Sequence, residues 1–383
     1  MAASPQASGH PAPPTTDKTV VALSLIAFLG CCAGWLWLAI GSDGTGWDFT
    51  GFYLAGQVPF SALYDQAVFQ ETGRRLLAPI GIDYYPPYVR PAVFSVPLRL
   101  FTWLPYWSAY WVFAALQFLF YVAAIYLLWR QFRFPVELVV GFGFFYPGMM
   151  SIVTGHDPNV EALLMAVGLL LLLNKKPATA GLVLALALYK FNLVFLIPLM
   201  LLIKKQYRAL GYMAGGGAAL ALASALLVSP TAYLELLPNI PKYTAGYEPA
   251  KTMIGFRSLS YWIEAPELYY PLAFAGIVFC LFAIWKSPLT EAYCIALAGS
   301  MLCGFHIAWY DGVCLMVPMT VVLARNSKPA ALISALLLFL FPVWPVWPAA
   351  ISILLLLLVA TIGRPWEWAL RRNPAATTAG SGA

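Results

Sequence analysis

Long apolar runs alternate with short polar stretches from residue 19 to residue 362 of this chain. Several runs extend for about 18 to 25 residues, the length that an α-helix needs to cross a bilayer. The pattern predicts an all-α polytopic membrane protein with about 10 to 12 transmembrane or re-entrant helices and a long first outer loop. Composition agrees, since 61% of the residues are hydrophobic and 10% are charged, against roughly a quarter charged in soluble domains.

We expect a single membrane domain over residues 19–362. Disordered tails are predicted at residues 1–18 and 363–383, because both are rich in small and polar residues. The run at residues 19–40 exceeds the core of a typical signal peptide and is predicted to be an uncleaved anchor. The six cysteines lie in or beside apolar runs without metal-site spacing, which is typical of small apolar core residues.

Basic residues in the short polar stretches predict the orientation of the chain, because cytoplasmic loops are enriched in Lys and Arg. Fourteen of the 22 basic residues are assigned to the cytoplasm, namely Lys18, Arg130, Arg133, Lys175, Lys176, Lys204, Lys205, Arg208, Lys286, Arg325, Lys328, Arg364, Arg371 and Arg372. The spans predicted between them are residues 19–40, 107–129, 134–152, 158–173, 207–228, 271–284, 290–305, 313–324, 330–343 and 348–362. Because successive spans alternate in direction, the polar stretches 41–90, 155–157, 229–267 and 306–311 are predicted to lie on the outer side of the membrane.

The run at residues 179–203 is about one helix long, yet lysines flank both of its ends. Both ends of the run are therefore predicted to lie in the cytoplasm, so the chain enters the membrane and returns as a re-entrant hairpin with Lys190 at its tip. Such a hairpin is stable only against protein or a water-filled cavity. An intramembrane lysine is a functional hypothesis by default, and a lipid phosphate would suit it as a partner. The alternative is that one lysine cluster breaks the orientation rule. The stretch at residues 91–104 is expected to be interfacial or half-inserted.

Asp48 lies between Trp47 and Phe49, a few residues after the first apolar run. A half-buried carboxylate at the membrane surface has a raised pKa and is suited to act as a general base. The alternative is an ordinary helix N-cap before the amphipathic residues 49–54. The pattern alone leaves both interpretations open.

The first outer loop continues with a stretch rich in Tyr and Pro at residues 83–91, which contains Tyr85 and Arg90. This composition suits a membrane interface. Arg90 has the geometry to bind a phosphate as a two-pronged fork. Its alternative role is that of an anchor whose charged end reaches the headgroups.

Two further outer turns contain the histidines outside the N-terminal tail. His156 and Asp157 form one, and His306 is followed by Asp311 in the other. A lone histidine is more often structural, and Asp157 is also placed to cap the next helix. The chain has no phosphate-cradling glycine loop, which argues against a nucleotide-sugar donor or ATP. It also has no paired acidic motif, so we expect no metal.

The order of these residues resembles glycosyltransferase family 87. The matching features are, in chain order, Asp48-Phe49, Tyr53, Gly56, Leu63-Tyr64-Asp65, Tyr85-Pro86-Pro87, Pro97-Leu98, Gly155, Asn159, Ala180-Gly181, Lys190, Lys204 to Arg208, Ser258-Leu259, His306 to Trp309, and Asp311. The resemblance covers roughly residues 40 to 320. It implies a GT-C-type membrane enzyme of the bacterial plasma membrane. Such an enzyme would move a hexose, usually mannose, from polyprenyl phosphate to a lipid or glycan acceptor outside, with inversion and without a cofactor.

The resemblance also implies roles for individual residues. Asp48 would be the general base, and His306 would act at the same centre. Phosphate and substrate binding would fall to a larger set, namely Lys190, Arg257, Arg90, His156, Asp157, Tyr85 and Asp311. The sequence departs from the family pattern at His156, where Gln is common, and at Phe256-Arg257, which replaces Asn-Gln. These departures bear on the donor sugar and the acceptor more than on the reaction type.

A polytopic transporter or lipid flippase is the competing interpretation, because broken helices and buried lysines also occur in transporters. The chain has no internal repeat, however, and a long acidic, aromatic outer loop is unusual for a carrier. A structural scaffold would leave Lys190 without a role. The expected partners are the lipid-linked donor, the acceptor and the bilayer, and no nucleic acid. A transferase should place Asp48 and His306 in one cavity.

Overall fold

A computed structural model of the protein describes residues 18–39, 45–134, 137–143, 145–234 and 253–325. Across these residues every regular element is an α-helix or a 3-10 helix, apart from an isolated antiparallel bridge between Met253 and Ala308. The all-α prediction is confirmed. Residues 1–17 of the predicted N-terminal tail, the predicted C-terminal tail, the predicted spans at 330–343 and 348–362, and residues 235–252 of the loop at 229–267 lie outside the described residues, whereas Lys18 begins α1.

Fifteen α-helices are present in the described residues: α1 (Lys18–Ala39), α2 (Phe49–Gln57), α3 (Gln66–Leu76), α4 (Tyr106–Phe132), α5 (Glu137–Gly143), α6 (Tyr146–Thr154), α7 (Pro158–Leu173), α8 (Pro177–Leu186), α9 (Phe191–Val194), α10 (Leu196–Ile203), α11 (Tyr207–Val228), α12 (Phe256–Trp262), α13 (Tyr269–Lys286), α14 (Leu289–Cys303) and α15 (Met316–Arg325). The 3-10 helices among them are Phe60–Ala62, Ala78–Ile80, Ala92–Ser95, Pro97–Trp103, Ala187–Lys190, Pro266–Leu268 and Trp309–Leu315.

Within the described ranges, four helices are long and apolar enough to cross a membrane: Tyr106–Phe132, Pro177–Val194, Tyr207–Val228 and Pro266–Lys286. Shorter apolar helices of 10–17 residues accompany them. This agrees with a polytopic membrane protein. Helix α7 begins and ends at the predicted residues, and α4 extends one residue before the predicted span and three residues beyond it.

Prolines divide two of the predicted stretches. The span at residues 134–152 is split into α5 and α6, and Pro147 lies in the first turn of α6. Proline lacks a backbone N–H and therefore starts a new helix more readily than it continues an old one. The stretch at residues 91–104 forms two 3-10 helices. The first begins after Pro91 and the second begins at Pro97.

Contacts of the segment 177–203 define a hairpin with Lys190 at its tip. Near its start, Gly181 packs so closely on α11 that an added Cβ would lie 2.2 Å from the carbonyl oxygen of Ala209. At its end, Lys204 donates hydrogen bonds to the carbonyls of Trp285 and Ser287. Between these points, the Leu196 N–H donates to Ser300 Oγ, near the opposite end of α14. Both ends of the segment therefore lie at one end of the bundle, as the lysines at its two ends predicted.

The helix directions separate two ends of the bundle. One end, which we call the polar end, carries the Asp48 turn, the hairpin tip and residues 305–311. The other end, the basic end, carries the last residues of α4, α7, α10 and α13 and the first residues of α11. Its basic residues are Arg130, Arg133, Lys175, Lys176, Lys204, Lys205, Arg208 and Lys286.

Candidate active site

Backbone hydrogen bonds fix the turn that carries Asp48. The N–H of Gly46 donates to the carbonyl of Val153, and the N–H of Asp48 donates to the carbonyl of Thr154, both at 2.9 Å. Two tyrosine hydroxyls on α4 donate to the same two segments, Tyr106 to the Gly46 carbonyl at 2.6 Å and Tyr110 to the Val153 carbonyl at 2.7 Å. The turn before α2 is therefore bound to the end of α6.

Gly155 brings the next turn against this one. It ends α6 with a φ of 75°, in the left-handed region, and an added Cβ would lie 2.5 Å from Cβ of Phe49. Only glycine tolerates both the backbone conformation and the close approach. The chain then turns into His156 and Asp157 beside the start of α2.

Asp157 stands at the N-cap position of α7, but its carboxylate accepts no hydrogen bond from the helix. It contacts Arg90 instead, at 3.3 Å from Nε and 3.4 Å from Nη2, and Lys190 Nζ at 3.0 Å. Nδ1 of His156 lies 2.8 Å from the same carboxylate. Burial opposes ionisation, yet Arg90, Lys190 and His156 together hold the pKa of Asp157 well below its usual range. The cap interpretation of Asp157 is therefore wrong.

Lys190 is held between two carboxylates. Its Nζ lies 2.5 Å from Oδ1 of Asp311, in addition to its contact with Asp157. The other oxygen of Asp311 accepts the N–H of Ala308 at 3.0 Å. Lys190 is 3% exposed and Asp311 is 2% exposed. A buried lysine is costly unless paired, and here two protein carboxylates supply the partners that the sequence required.

The segment with His306 is tied to two neighbours. Asn192, just after the hairpin tip, donates its side-chain amide to the carbonyl of His306. The N–H of Ile254 donates to the carbonyl of Ile307 at 2.9 Å, next to the bridge between Met253 and Ala308. These bonds hold His306 at the polar end, beside the hairpin.

The pKa of His306 is lowered to about 4, mainly by burial; the negative charge of Asp311 opposes the shift, and the positive charges of Arg257, Arg90 and Lys190 add to it. Its Nδ1 is buried and has no hydrogen-bond partner in the described part of the chain. His306 is therefore a neutral imidazole at neutral pH. It is suited to polar contacts with substrate and unsuited to donating a proton as a charged acid.

A cavity of about 930 Å³ joins these elements at the polar end. Six of the predicted site residues line it, namely Asp48, Arg90, His156, Lys190, His306 and Asp311. Asp48 and His306 thus share one cavity, which is the arrangement expected of a transferase. Its size is within the range of small-molecule sites, roughly 300 to 1,000 Å³.

Asp48 is partly exposed in the cavity and, although it precedes α2, makes no side-chain cap hydrogen bond. Burial raises its pKa above the ordinary aspartate value, while the positive charges of His156 and Lys190 partly offset the effect. A carboxylate that is accessible, uncommitted to the helix and raised in pKa has the properties of a general base.

One wall of the cavity is apolar and continues onto the outer surface of the bundle. It contains Tyr270, Phe274 and Ile277 from α13 and Phe191 and Phe195 from the hairpin. Tyr270 is 69% exposed and Phe274 is 71% exposed. The polar centre is therefore connected to a surface that would face lipid in a membrane.

The remaining predicted residues lie outside the cavity lining. Arg257 donates to the carbonyl of Phe305 at 2.8 Å, and its guanidinium lies 4.0 Å from the centre of that ring, so it supports a lining residue from behind. Tyr85 packs against Gly73 and donates its hydroxyl to Ile82. Its neighbour Tyr84 lines the cavity instead.

Sequence reasoning missed two residues of this region. Tyr310 lines the cavity with its ring centre 4.3 Å from that of His156. Glu161 is fully buried in the first turn of α7, and neither carboxylate oxygen has a hydrogen-bond partner among the described residues. A lone acid in an apolar run is a recognisable signal. Tyr310 had no such signal in a chain this aromatic.

No group of three or more His, Cys, Asp or Glu side chains within the described ranges is arranged to hold a metal ion. The expectation that no metal takes part stays a prediction.

The model of glycosyltransferase family 87 matches residues 84–318, more than half of the 383 residues. Searches among curated proteins and among solved structures gave no match. The matched range contains the hairpin and the segment with His306 but begins after Asp48, so the assignment of Asp48 rests on its geometry and on the resemblance described above. The chain belongs to glycosyltransferase family 87 and is a membrane glycosyltransferase.

Proposed function

We propose that this enzyme transfers a hexose, with mannose as the first candidate, from a polyprenyl-phosphate donor to a lipid or glycan acceptor. The transfer takes place at the outer face of a bacterial plasma membrane, in a GT-C-type fold. The observation that carries the proposal is the single cavity containing Asp48, the cations Lys190 and Arg90, and an apolar wall open to the surface. These three parts match an acceptor hydroxyl, a phosphate and a prenyl chain.

Arg90 and Lys190 are the proposed phosphate ligands. A guanidinium has five N–H donors, and Arg90 directs only Nε and one hydrogen of Nη2 to Asp157 in the described structure. The rest remain available to phosphate oxygens on the cavity side. As the sugar departs, negative charge develops on the leaving phosphate, and fixed cations in a largely buried site stabilise that charge.

The apolar wall is the proposed path of the prenyl chain. Phe191 and Phe195 from the hairpin and Phe274 and Ile277 from α13 all line the cavity. A chain lying between them would keep its tail in the bilayer while its phosphate reaches Lys190. Because lipid tails are as apolar as these side chains, the wall would guide the prenyl chain through packing contacts and not through hydrophobic burial.

The proposed reaction is a single displacement. Asp48 takes the proton of the acceptor hydroxyl as its oxygen forms a bond to the anomeric carbon. The bond between that carbon and the phosphate oxygen breaks, and the phosphate keeps the electron pair. Attack opposite to the leaving group inverts the anomeric centre. His306 contributes as a neutral hydrogen-bonding group near the sugar.

The outer location is supported by the distribution of charge between the two ends of the bundle. The eight basic residues of the basic end lie in short loops and helix ends, the pattern of a cytoplasmic face. The polar end then faces outward. A lipid-linked donor is the activated sugar available at a face that lacks ATP and nucleotide sugars.

The test is sugar transfer by the purified enzyme in nanodiscs, with radiolabelled polyprenyl-phosphate mannose and a lipid extract as acceptor source. Wild type should give a labelled glycolipid, and Asp48→Asn should not. Asp65→Asn, which changes another aspartate at a helix start, is the matched control and should retain transfer.

GDP-mannose and polyprenyl-phosphate glucose supplied in parallel identify the donor. Product from GDP-mannose alone would overturn the lipid-linked donor, and product from the glucose donor alone would overturn mannose. Retained transfer by Asp48→Asn would overturn its role as base. Movement of the lipid across the bilayer without any transfer would favour a flippase.

A further inference from the structure

Tyr189 lines the cavity beside the two proposed phosphate ligands, and the proposed reaction gives it no task. It directly precedes Lys190 in the 3-10 helix Ala187–Lys190 at the hairpin tip. It is only 8% exposed. Because so little of it faces the cavity, its effect on a ligand depends mainly on the protein groups that it holds.

Three contacts join the ring of Tyr189 to its surroundings. Its hydroxyl donates to the backbone carbonyl of Asp157 at 3.2 Å. The centre of the Phe94 ring lies 5.0 Å from the centre of its own ring. The guanidinium carbon of Arg90 lies 5.8 Å from the ring centre, within the ~6 Å range of a cation–π contact. Tyr189 therefore links the hairpin tip to the start of α7 and to the stretch that carries Arg90.

Arg90 needs such support because its other contacts leave the guanidinium incompletely restrained. Asp157 lies 3.3 Å from Nε and 3.4 Å from Nη2, longer than the roughly 2.7 to 3.2 Å of most N–H···O bonds. The hydroxyl of Tyr64 donates to the Arg90 carbonyl at 2.7 Å, which fixes the main chain but not the side chain. A flat guanidinium stacks on aromatic faces, so the Tyr189 ring supplies the restraint on its plane.

We propose that Tyr189 is a positioning residue for Arg90, and that its ring orients the guanidinium so that the uncommitted N–H groups meet the donor phosphate. The inference rests on the proposed role of Arg90 as a phosphate ligand. A guanidinium binds phosphate through paired N–H···O bonds, so its orientation matters as well as its charge. Because Lys190 follows Tyr189 directly, the hairpin tip provides one cation and orients the other.

The first test measures binding without sugar transfer. The purified enzyme in nanodiscs is titrated with polyprenyl phosphate and with the polyprenol of the same length, and the ratio of the two affinities isolates the contribution of the phosphate. Wild type should favour the phosphate form. Tyr189→Leu should lower the ratio about 10-fold, within the range of a lost cation–π contact, whereas Tyr189→Phe keeps the ring and should retain most of it.

The second test asks whether Tyr189 acts through Arg90. Arg90→Lys keeps the positive charge but lacks the flat fork of N–H groups. In this background Tyr189→Leu should lower the affinity ratio little further, whereas independent contributions would add. Additive losses would mean that Tyr189 acts on the lipid or on the fold without Arg90, and they would overturn the proposal.

Kinetics and two further variants complete the test. A misplaced guanidinium should raise the KM of Tyr189→Leu for the lipid donor and also lower kcat, because the leaving phosphate gains charge in the transition state. Phe94→Leu removes the ring packed on Tyr189 and should give a smaller loss of the same kind, which keeps the proposal testable if Tyr189→Leu does not fold. Tyr84→Leu is the matched control. It removes another tyrosine ring of the cavity lining, 5.8 Å from the Trp47 ring, and should leave the affinity ratio unchanged.

The outcomes separate this inference from the proposed function. A wild type that binds polyprenyl phosphate no more tightly than polyprenol contradicts the lipid-phosphate donor and the inference with it. If wild type favours the phosphate form, an unchanged ratio in folded Tyr189→Leu would overturn the positioning role alone. An equal loss in Tyr84→Leu would also overturn it, because any change in the lining would then have the same effect.

Discussion

Asp65 and Asp48 both precede a helix in the first outer loop, yet their carboxylates are used differently. Asp65 accepts hydrogen bonds from the N–H groups of Ala67 and Val68, at 2.9 and 3.2 Å, and so caps α3. Asp48 caps nothing and lines the cavity. The difference teaches that an aspartate before a helix becomes available for chemistry when other groups hold its turn.

The backbone explains why the two differ. Asp65 has φ −79° and ψ 106°, the extended conformation that lets a side chain reach back to the helix. Asp48 has φ −75° and ψ −25°, already helical, and its carboxylate makes no cap hydrogen bond to α2. The bonds from Gly46 and Asp48 to the end of α6 impose that conformation.

The largest expected effect in this comparison is on catalysis. Asp48→Asn should lower the rate of transfer by about 10²- to 10⁴-fold, because the amide cannot take the acceptor proton. Asp65→Asn should leave the rate per folded enzyme at the wild-type level. Initial rates in nanodiscs, with the amount of folded protein set by size-exclusion chromatography, measure both. Equal losses in the two variants would remove the distinction.

The next effect is on stability. Lys190→Met should lower the free energy of unfolding by about 3 to 5 kcal/mol, because it leaves two buried carboxylates without their cation. Lys176→Met, at the exposed start of α8, is the matched control and should change it little. Denaturant unfolding in detergent measures both.

A double variant sharpens the same point. Adding Asp311→Asn to Lys190→Met removes one of the two unpaired carboxylates, so the pair should destabilise less than the sum of the single changes. Additive losses would mean that Lys190 stabilises the fold through packing and not through charge.

The pH dependence of transfer tests the raised pKa of Asp48. A base must be ionised, so kcat/KM should be maximal above the pKa of Asp48 and fall as the pH drops through it. Because burial raises this pKa, the fall should occur at higher pH than for an ordinary aspartate. His306, with a pKa of about 4, should add no step near neutrality, and His306→Gln should leave the position of the fall unchanged. A fall at the ordinary aspartate pKa would contradict the burial of the base.

The smallest effect belongs to the cap itself. Asp65→Ala should lower the free energy of unfolding by about 0.5 to 2 kcal/mol, because two N–H groups of α3 lose their acceptor. Asp48→Ala should show no such loss from capping, since its carboxylate bonds to no helix N–H. Thermal unfolding of the two variants in the same detergent compares them, and a larger loss for Asp48→Ala would assign it a structural role.

Local patterns predicted much of the fold. Helix α7 matches its apolar run because Pro158 starts it and a lysine pair follows its end, both visible in the sequence. The hairpin with Lys190 followed from the placement of charges on either side of one run. The division of residues 134–152 was missed, since Pro147 lies inside an otherwise continuous apolar stretch.

The site was predictable residue by residue but not as a set of contacts. Asp157 and Arg90 are separated by 67 positions, and Lys190 and Asp311 by 121. No periodic pattern reports pairings over such distances, so Asp157 remained open to a cap interpretation. Glu161 was overlooked because the surrounding apolar run was interpreted only as a span.

The shortness of α7 has a consequence for the fit between the protein and the surrounding bilayer. Its 16 residues extend ~24 Å, against a hydrocarbon core of ~30 Å. A helix shorter than the core is accommodated when the bilayer beside it thins or when its ends lie below the headgroups. The same mismatch makes the activity of such an enzyme sensitive to lipid thickness, so nanodiscs built from lipids of different chain length would report it.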